Sequence, residues 1–344
     1  MTGLLANKES EIFMESLPLE LSNAIDRELA PLHPDRLRDA CFELSNRYSR
    51  ESVKGPFITT TEHRHAYIAA RLPATYGAMR QIFRRIEAHK KNVKSILDLG
   101  SGVGSIAWAA KDAFPKLKSV MLVEEDLELL RLGQYLTDIH LDPLQLSWCH
   151  ENLIEQEGFP VHDVVTMSYV LNELSPHDQL VLLNKAYLAA DQLLILAEPG
   201  TPQGFANILR AREFLIKQGA HVLAPCTHNN TCPLAQAFHD KKDWCHFSVR
   251  IPRGKYHRRA KAAALPYEDE KYSYLVVSPM PLPTPQSRII KSPILNTGHV
   301  ILDLCDETGA HRKTISKSQG KIYRAARDAE WGDALNPSDF EGKE

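Results

Sequence analysis

Apolar residues along the first ninety positions recur every three or four places. LPLELSNAIDREL, PDRLRDACFELSNRYS and HAYIAARLPATYGAMRQIFRRIEAHKK each present this helical stripe. Pro73, inside the third stretch, predicts a kink or a break there. From residue 94 the pattern changes to short apolar runs, at 95–99, 119–123, 144–148, 163–168 and 192–197. Helical stretches at 127–137 and 179–190 lie between them, and such alternation predicts a parallel sheet covered on both faces. Residues 247–251 and 272–278 read as two closing strands, with a basic helix over 256–264 between them. A proline-rich arm follows at 279–297, then strand-like alternation at 299–304 and 313–316. The chain therefore divides into a helical region over 1–92 and an α/β domain over 93–278. The latter carries a cysteine-rich insertion at 220–246. A basic β-rich appendage over 279–330 and an acidic tail over 331–344 complete it.

With 344 residues the chain has room for one large domain or two ordinary ones. The apolar runs are strand-sized and broken by charges, so no membrane-spanning helix is expected. Net charge is −2 but unevenly spread. Residues 246–327 hold fifteen Lys/Arg against six Asp/Glu, a net +9, whereas 328–344 carry −5. A basic block of this kind suits a polyanion such as RNA. Arg250, Arg253, Lys255, Arg258, Arg259, Lys261, Lys317, Lys321 and Arg324 are its candidate phosphate contacts. The acid-rich start, with Glu9, Glu11, Glu15, Glu20 and Asp26, argues against a secretory signal or a mitochondrial transit peptide. It places the protein in a cytoplasm, a bacterial one.

Candidate chemistry begins at LDLGSGVGS, residues 97–105. Gly100, Gly102 and Gly104 directly follow the first strand, where a tight strand-to-helix turn lets backbone approach a ligand. Glu124 closes the second strand, where an acid accepts ribose hydroxyls, and Glu125 is the near alternative. Asp98 ahead of a G-x-G-x-G run looks more like an S-adenosylmethionine site than a dinucleotide site. Switch-point logic then sets Ser168, Tyr169 and Asn172, after the fourth strand, against the methyl group. The Asn/Asp-Pro-Pro-aromatic run of amino-methylating enzymes is missing, so no catalytic base is named.

Four of the six cysteines, Cys226, Cys232, Cys245 and Cys305, fall in the second half. Four thiolates make a closed shell for an iron–sulfur cluster or for zinc. The spacing lacks paired C-x2-C knuckles and looks more like an all-thiolate [4Fe–4S] site. His228, His239 and His246 keep zinc as the alternative. Cys41 reads as a core residue, and Cys149 as a packed thiol near the cofactor pocket.

Together these segments resemble the methyltransferase-like small-ribosomal-subunit proteins of bacteria and mitochondria, the Rsm-twenty-two type. The likeness runs through ARLPATYGAM, LDLGSGVGS, VLNEL, AEPGTPQGF, the APC…CPL…DWCHFSVRIPR block and YEDEKYSYL. It continues to the SKSQGKIYRAARDAEWGD end. The resemblance implies a class I methyltransferase fold, S-adenosylmethionine binding, an iron–sulfur cluster on the four cysteines, and association with the small ribosomal subunit during assembly. Two functions follow. One is a methyltransferase of small-subunit ribosomal RNA. The other is a non-catalytic assembly factor holding S-adenosylmethionine as a structural or regulatory ligand.

Overall fold

The computed structural model describes residues 14–49, 57–89, 92–137, 141–240, 243–261 and 263–336. The N-terminal stripes form α1 (Leu19–Leu29), α2 (Pro34–Ser49), α3 (Thr61–Ala66) and α4 (Leu72–Arg85). α1 buries Leu21, Ala24, Ile25 and Leu29, the face its spacing predicts. Thr60 caps α3 by accepting from the His63 N–H. The third stretch is divided at Pro73, as expected, with the proline in the first turn of α4. A π-helical turn, Tyr67–Arg71, joins α3 to α4, and the Leu72 N–H donates to the Tyr67 carbonyl. Proline removes a donor and crowds the preceding turn, and one widened turn absorbs both effects.

The central sheet contains β1 (Ser95–Leu99), β2 (Ser119–Glu124), β3 (Gln145–His150), β4 (His162–Ser168), β5 (Ala190–Pro199), β6 (His221–Ala224), β7 (Phe247–Pro252) and β8 (Tyr267–Ser278). Its helices are α5 (Ser105–Lys111), α6 (Leu127–Thr137), α7 (Pro176–Ala189), α8 (Pro202–Lys217), α9 (Ala235–His239) and α10 (Lys255–Ala260). Strand order is β3-β2-β1-β4-β5-β8-β6, with β7 alongside β8. The first five strands are parallel, and β8 runs antiparallel to β5, β6 and β7. Short apolar strands such as β1 bury nearly every side chain because helices cover both faces. β8 starts at Tyr267, earlier than its apolar run implies, because 267–272 pair along β7 and Asp269 bonds Arg250 of that strand.

A second sheet holds β9 (Ser287–Ile289), β10 (Ile294–Asn296), β11 (His299–Asp306), β12 (Gly309–Ser316) and β13 (Ala334–Leu335), covered by α11 (Lys321–Asp328). Strand alternation sends Val300, Leu302 and Leu304 of β11 into a small core with Ile315 and Tyr323. Cys305 points the other way, into an apolar cluster with Phe205, Leu209 and Cys232. Of the expected acidic tail, 337–344 lie outside the described residues. The part at 331–336 is not loose. Arg85 donates to the Trp331 carbonyl at 2.7 Å, Arg288 donates to the Gly332 carbonyl, and β13 pairs with β9.

Candidate functional site

The sheet changes direction at β1, whose neighbours are β2 and β4. A cavity of about 450 Å³ opens there at the carboxyl ends of the strands. Gly100, Gly102 and Gly104 all have positive φ, of 72°, 55° and 81°. A Cβ at Gly102 would lie 2.8 Å from the Tyr67 hydroxyl, so the turn needs glycine for space as well as for conformation. Glu124 is buried, and its two oxygens accept from the Gly102 and Asp126 N–H groups at 2.8 and 2.9 Å. Carboxylate oxygens have further lone pairs, so Glu124 can still accept from ribose hydroxyls. Exposed Glu125 lines the same cavity and accepts from Asn152.

Asp98 lies beneath the turn, fully buried. Burial pushes its carboxyl up to about 7, against the lowering effect of the Thr166 hydroxyl donated at 2.7 Å. Its Oδ2, with the Ser101 and Ser105 hydroxyls, has no hydrogen-bond partner among the described residues. Orphaned polar atoms at a glycine turn fit a polar ligand head above them. The N-terminal region roofs the cavity with Phe57 and Ile58, ahead of α3, and with Tyr67 and Arg71 of the π-helical turn. Arg64 grips Asp126 through two nitrogens and both carboxylate oxygens, at 2.8–3.2 Å.

At the end of β4 the expected residues separate. Ser168 and Tyr169 line the cavity; Asn172 does not, and Glu173 lines it instead. Glu198 explains the difference. Fully buried, it accepts from the Leu171 N–H and from Asn207, and burial raises its carboxyl to about 8. It thereby fastens the 171–172 backbone beneath the pocket. Tyr169 adopts φ 64°, unusual for a bulky residue. Burial and the neighbouring Glu270 hold its hydroxyl protonated, well above the ordinary phenol range. Tyr67 and Glu270 escape any sequence pattern, although both stand within the quoted N-terminal and YEDEKYSYL segments.

Cys226, Cys232, Cys245 and Cys305 line one cavity of about 30 Å³, with Phe205, Leu209, Arg212, Tyr274 and Ile290. His228, His239 and His246 do not line it. Burial, then the neighbouring thiols, pushes Cys232 to about 11 and Cys305 to about 12, and raises Cys245 as well. Among the described residues no group of three or more His, Cys, Asp or Glu side chains is arranged to hold a metal ion. Arg212 is buried against the four thiols with its Nε unpartnered, a cation beside them. Cys149 and Cys41 stand outside this cavity.

The basic block divides in two. Arg250 is held by Asp269 through paired bonds of 2.7 and 2.8 Å. Arg253 and Lys261 both contact Glu268. Despite partial burial, hydrogen bonds from His257 and Lys261 hold Glu268 well below the usual carboxylate range. Lys255, Arg258, Arg259, Lys317, Lys321 and Arg324 are exposed. No described helix is long and apolar enough to cross a membrane.

An α/β fold with a switch-point pocket on a glycine turn defines a protein of the doubly wound, nucleotide-binding type. The family described as Mitochondrial small ribosomal subunit Rsm22 matches residues 61–336. The chain belongs to that family. It is 30% identical over 329 residues to Rsm22-cox11 tandem protein 2, mitochondrial, of Schizosaccharomyces pombe, covering 78% of this chain and 42% of that one. It is 26% identical to human Ribosome assembly protein METTL17, mitochondrial, covering 80% and 63%. The chain thus spans less than two thirds of either relative. Among solved structures it is similar to magnesium protoporphyrin IX methyltransferase from Synechocystis with bound S-adenosylmethionine (TM-score 0.39, 13% identity, 68% of this chain and 90% of that one). The expectation of a bacterial cytoplasm is overturned by these relatives, whose names place them in mitochondria. Charge at a chain's first residues is too local a signal to carry a location.

Proposed function

We propose that the protein is an S-adenosylmethionine-binding factor in assembly of the small ribosomal subunit, and that it binds ribosomal RNA rather than methylating it. The observation that carries this reading is the asymmetry of the switch-point pocket. Its cofactor half offers a glycine turn, Glu124 and orphaned polar atoms around Asp98. Its acceptor half offers Ser168, Glu173 and Tyr169, whose proton is held by burial and by Glu270, and no side chain from Asn172. A protonated phenol donates a hydrogen bond and does not take a proton from an amine. The names of the relatives, ribosome assembly proteins, support the partner.

Cys226, Cys232, Cys245 and Cys305 would hold a [4Fe–4S] cluster, for which the all-thiol donor set and the Arg212 cation are suited. When bound, such a group supplies a cross-link between the 226–245 segment and β11, and zinc is the disfavoured alternative. The exposed Lys255, Arg258, Arg259, Lys317, Lys321 and Arg324 would contact phosphates. Methyl transfer to ribosomal RNA is the second reading, favoured by the opening of the pocket beside Ser168. Calorimetry with S-adenosylmethionine, together with mass spectrometry of small-subunit RNA from a deletion strain, separates the two. Binding without a missing methyl mark supports the first reading, and a missing mark restored by the wild-type gene establishes the second.

A further inference from the structure

Three side chains from three elements meet at the acceptor end of the pocket. Arg71 ends the π-helical turn, Tyr169 follows β4, and Glu270 lies in β8. The Arg71 guanidinium is 3.3 Å from Glu270 and 4.8 Å over the Tyr169 ring. The Tyr169 hydroxyl donates to the same Glu270 oxygen at 3.2 Å. A bulky residue at φ 64° is strained, and this set of contacts holds Tyr169 there. Arg71 and Tyr169 both line the cavity, and the pair is only partly exposed, 23% for Arg71 and 12% for Glu270. A full positive and a full negative charge are thus fixed beside the end of β4.

That end of the pocket is where the cofactor's sulfur lies if the reading above holds, and this inference rests on it. S-adenosylmethionine and its demethylated product differ there by one unit of charge. The first is a sulfonium cation and the second a neutral thioether; the adenosine and amino-acid ends are the same. A pocket can separate the two only through groups near that sulfur. We infer that the Arg71–Glu270 pair sets the preference of this pocket between the cationic and the neutral form of the cofactor. Arg71 opposes the sulfonium and Glu270 offsets that opposition, so their balance fixes which form the protein carries at a given ratio of the two. An assembly factor without chemistry of its own would then report methylation status through which form it holds.

The test is calorimetry on the full chain with S-adenosylmethionine, S-adenosylhomocysteine, sinefungin (an ammonium in place of the sulfonium) and adenosine. Arg71→Met and Glu270→Gln change the local charge by one unit in opposite directions. Arg71→Met should shift the affinity ratio toward S-adenosylmethionine by at least about fivefold, and Glu270→Gln toward S-adenosylhomocysteine by a similar factor. The double variant should return to within about twofold of wild type, because the two changes cancel. Sinefungin should follow S-adenosylmethionine, Arg71→Lys should keep the wild-type ratio, and adenosine affinity should stay constant as the control for an intact pocket. Ratios that stay put or move the same way in both single variants overturn the inference. So does an Arg71→Lys ratio that moves as far as that of Arg71→Met. A wild type that binds none of the four ligands removes the cofactor reading, and the inference with it.

Discussion

Glu198 shows how a single buried group ties the fold to pH. Its carboxyl is raised to about 8 by burial, so the folded protein holds a proton that the unfolded chain releases near the ordinary value of 4.5. The stability this proton contributes is full below the unfolded value and is lost as pH rises through about 8. Asp98, raised to about 7 from 3.8, adds the same trend. Glu198→Gln should therefore gain on wild type by on the order of 4 kcal/mol between pH 5 and pH 8.5, measured as the change in urea midpoint at the two pH values. Gly102→Val sets a β-branched side chain at φ 55° and against the Tyr67 hydroxyl. It should cost about 1–2 kcal/mol of stability and abolish S-adenosylmethionine binding in calorimetry. The glycine turn was legible because its chemistry sits in consecutive residues. The Arg71, Tyr169 and Glu270 constellation was not, because its members are 98 and 101 positions apart and none belongs to a spacing rule. Asn172 was misplaced for a related reason. Chain proximity to β4 suggested a pocket position, and a buried acid on another strand decides where that loop turns.

Elements reveal what the charge count hid. The acids 268–270 of β8 alternate in direction, so Glu268 and Glu270 share one face and Asp269 takes the other. Glu268 gathers Arg253, His257 and Lys261, and Asp269 takes Arg250. A count of +9 over 246–327 therefore overstates the free cationic surface. Charge-removing substitutions should separate accordingly. Arg258→Gln and Arg259→Gln should each lower the slope of log affinity against log salt for small-subunit RNA by about one while leaving the melting temperature unchanged. Arg250→Gln should instead lower stability by about 1 kcal/mol with little effect on that slope, since its charge is already partnered. The same scale explains the helix at Pro73. Apolar periodicity gave the element, but periodicity carries no information on whether a proline kinks its helix or is absorbed by a π turn. Tyr67 and Arg71, the first and last residues of that turn, both line the switch-point cavity.

At the scale of the molecule, the C-terminal sheet is joined to the central α/β domain by specific buried groups. Arg288, fully buried, donates to the carbonyls of Pro225 and Gly332, and Arg85 holds Trp331. Cys305 adds the fourth thiol of the shared cavity. Anaerobically purified wild type should show broad absorption near ~400 nm and about four irons per chain. Cys305→Ser should lose both, and limited proteolysis should then release the region after residue 279 faster than in wild type. One zinc and no colour would return the site to a structural ion. The quartet itself was legible from cysteine count and wide spacing, but that the second sheet folds back on the first was not. No residue pattern announces that one face of β11 serves the small core while the other serves the thiol cavity.

That two-faced strand has a consequence for how the protein is made. Cys245 leaves the ribosome sixty residues ahead of Cys305. At about 5–20 residues per second, the growing chain carries three of the four thiols for roughly 3–12 s before the last is synthesised. Closure of the cavity is therefore a late event in biogenesis. It ties completion of the site to the arrival of β11 and the second sheet.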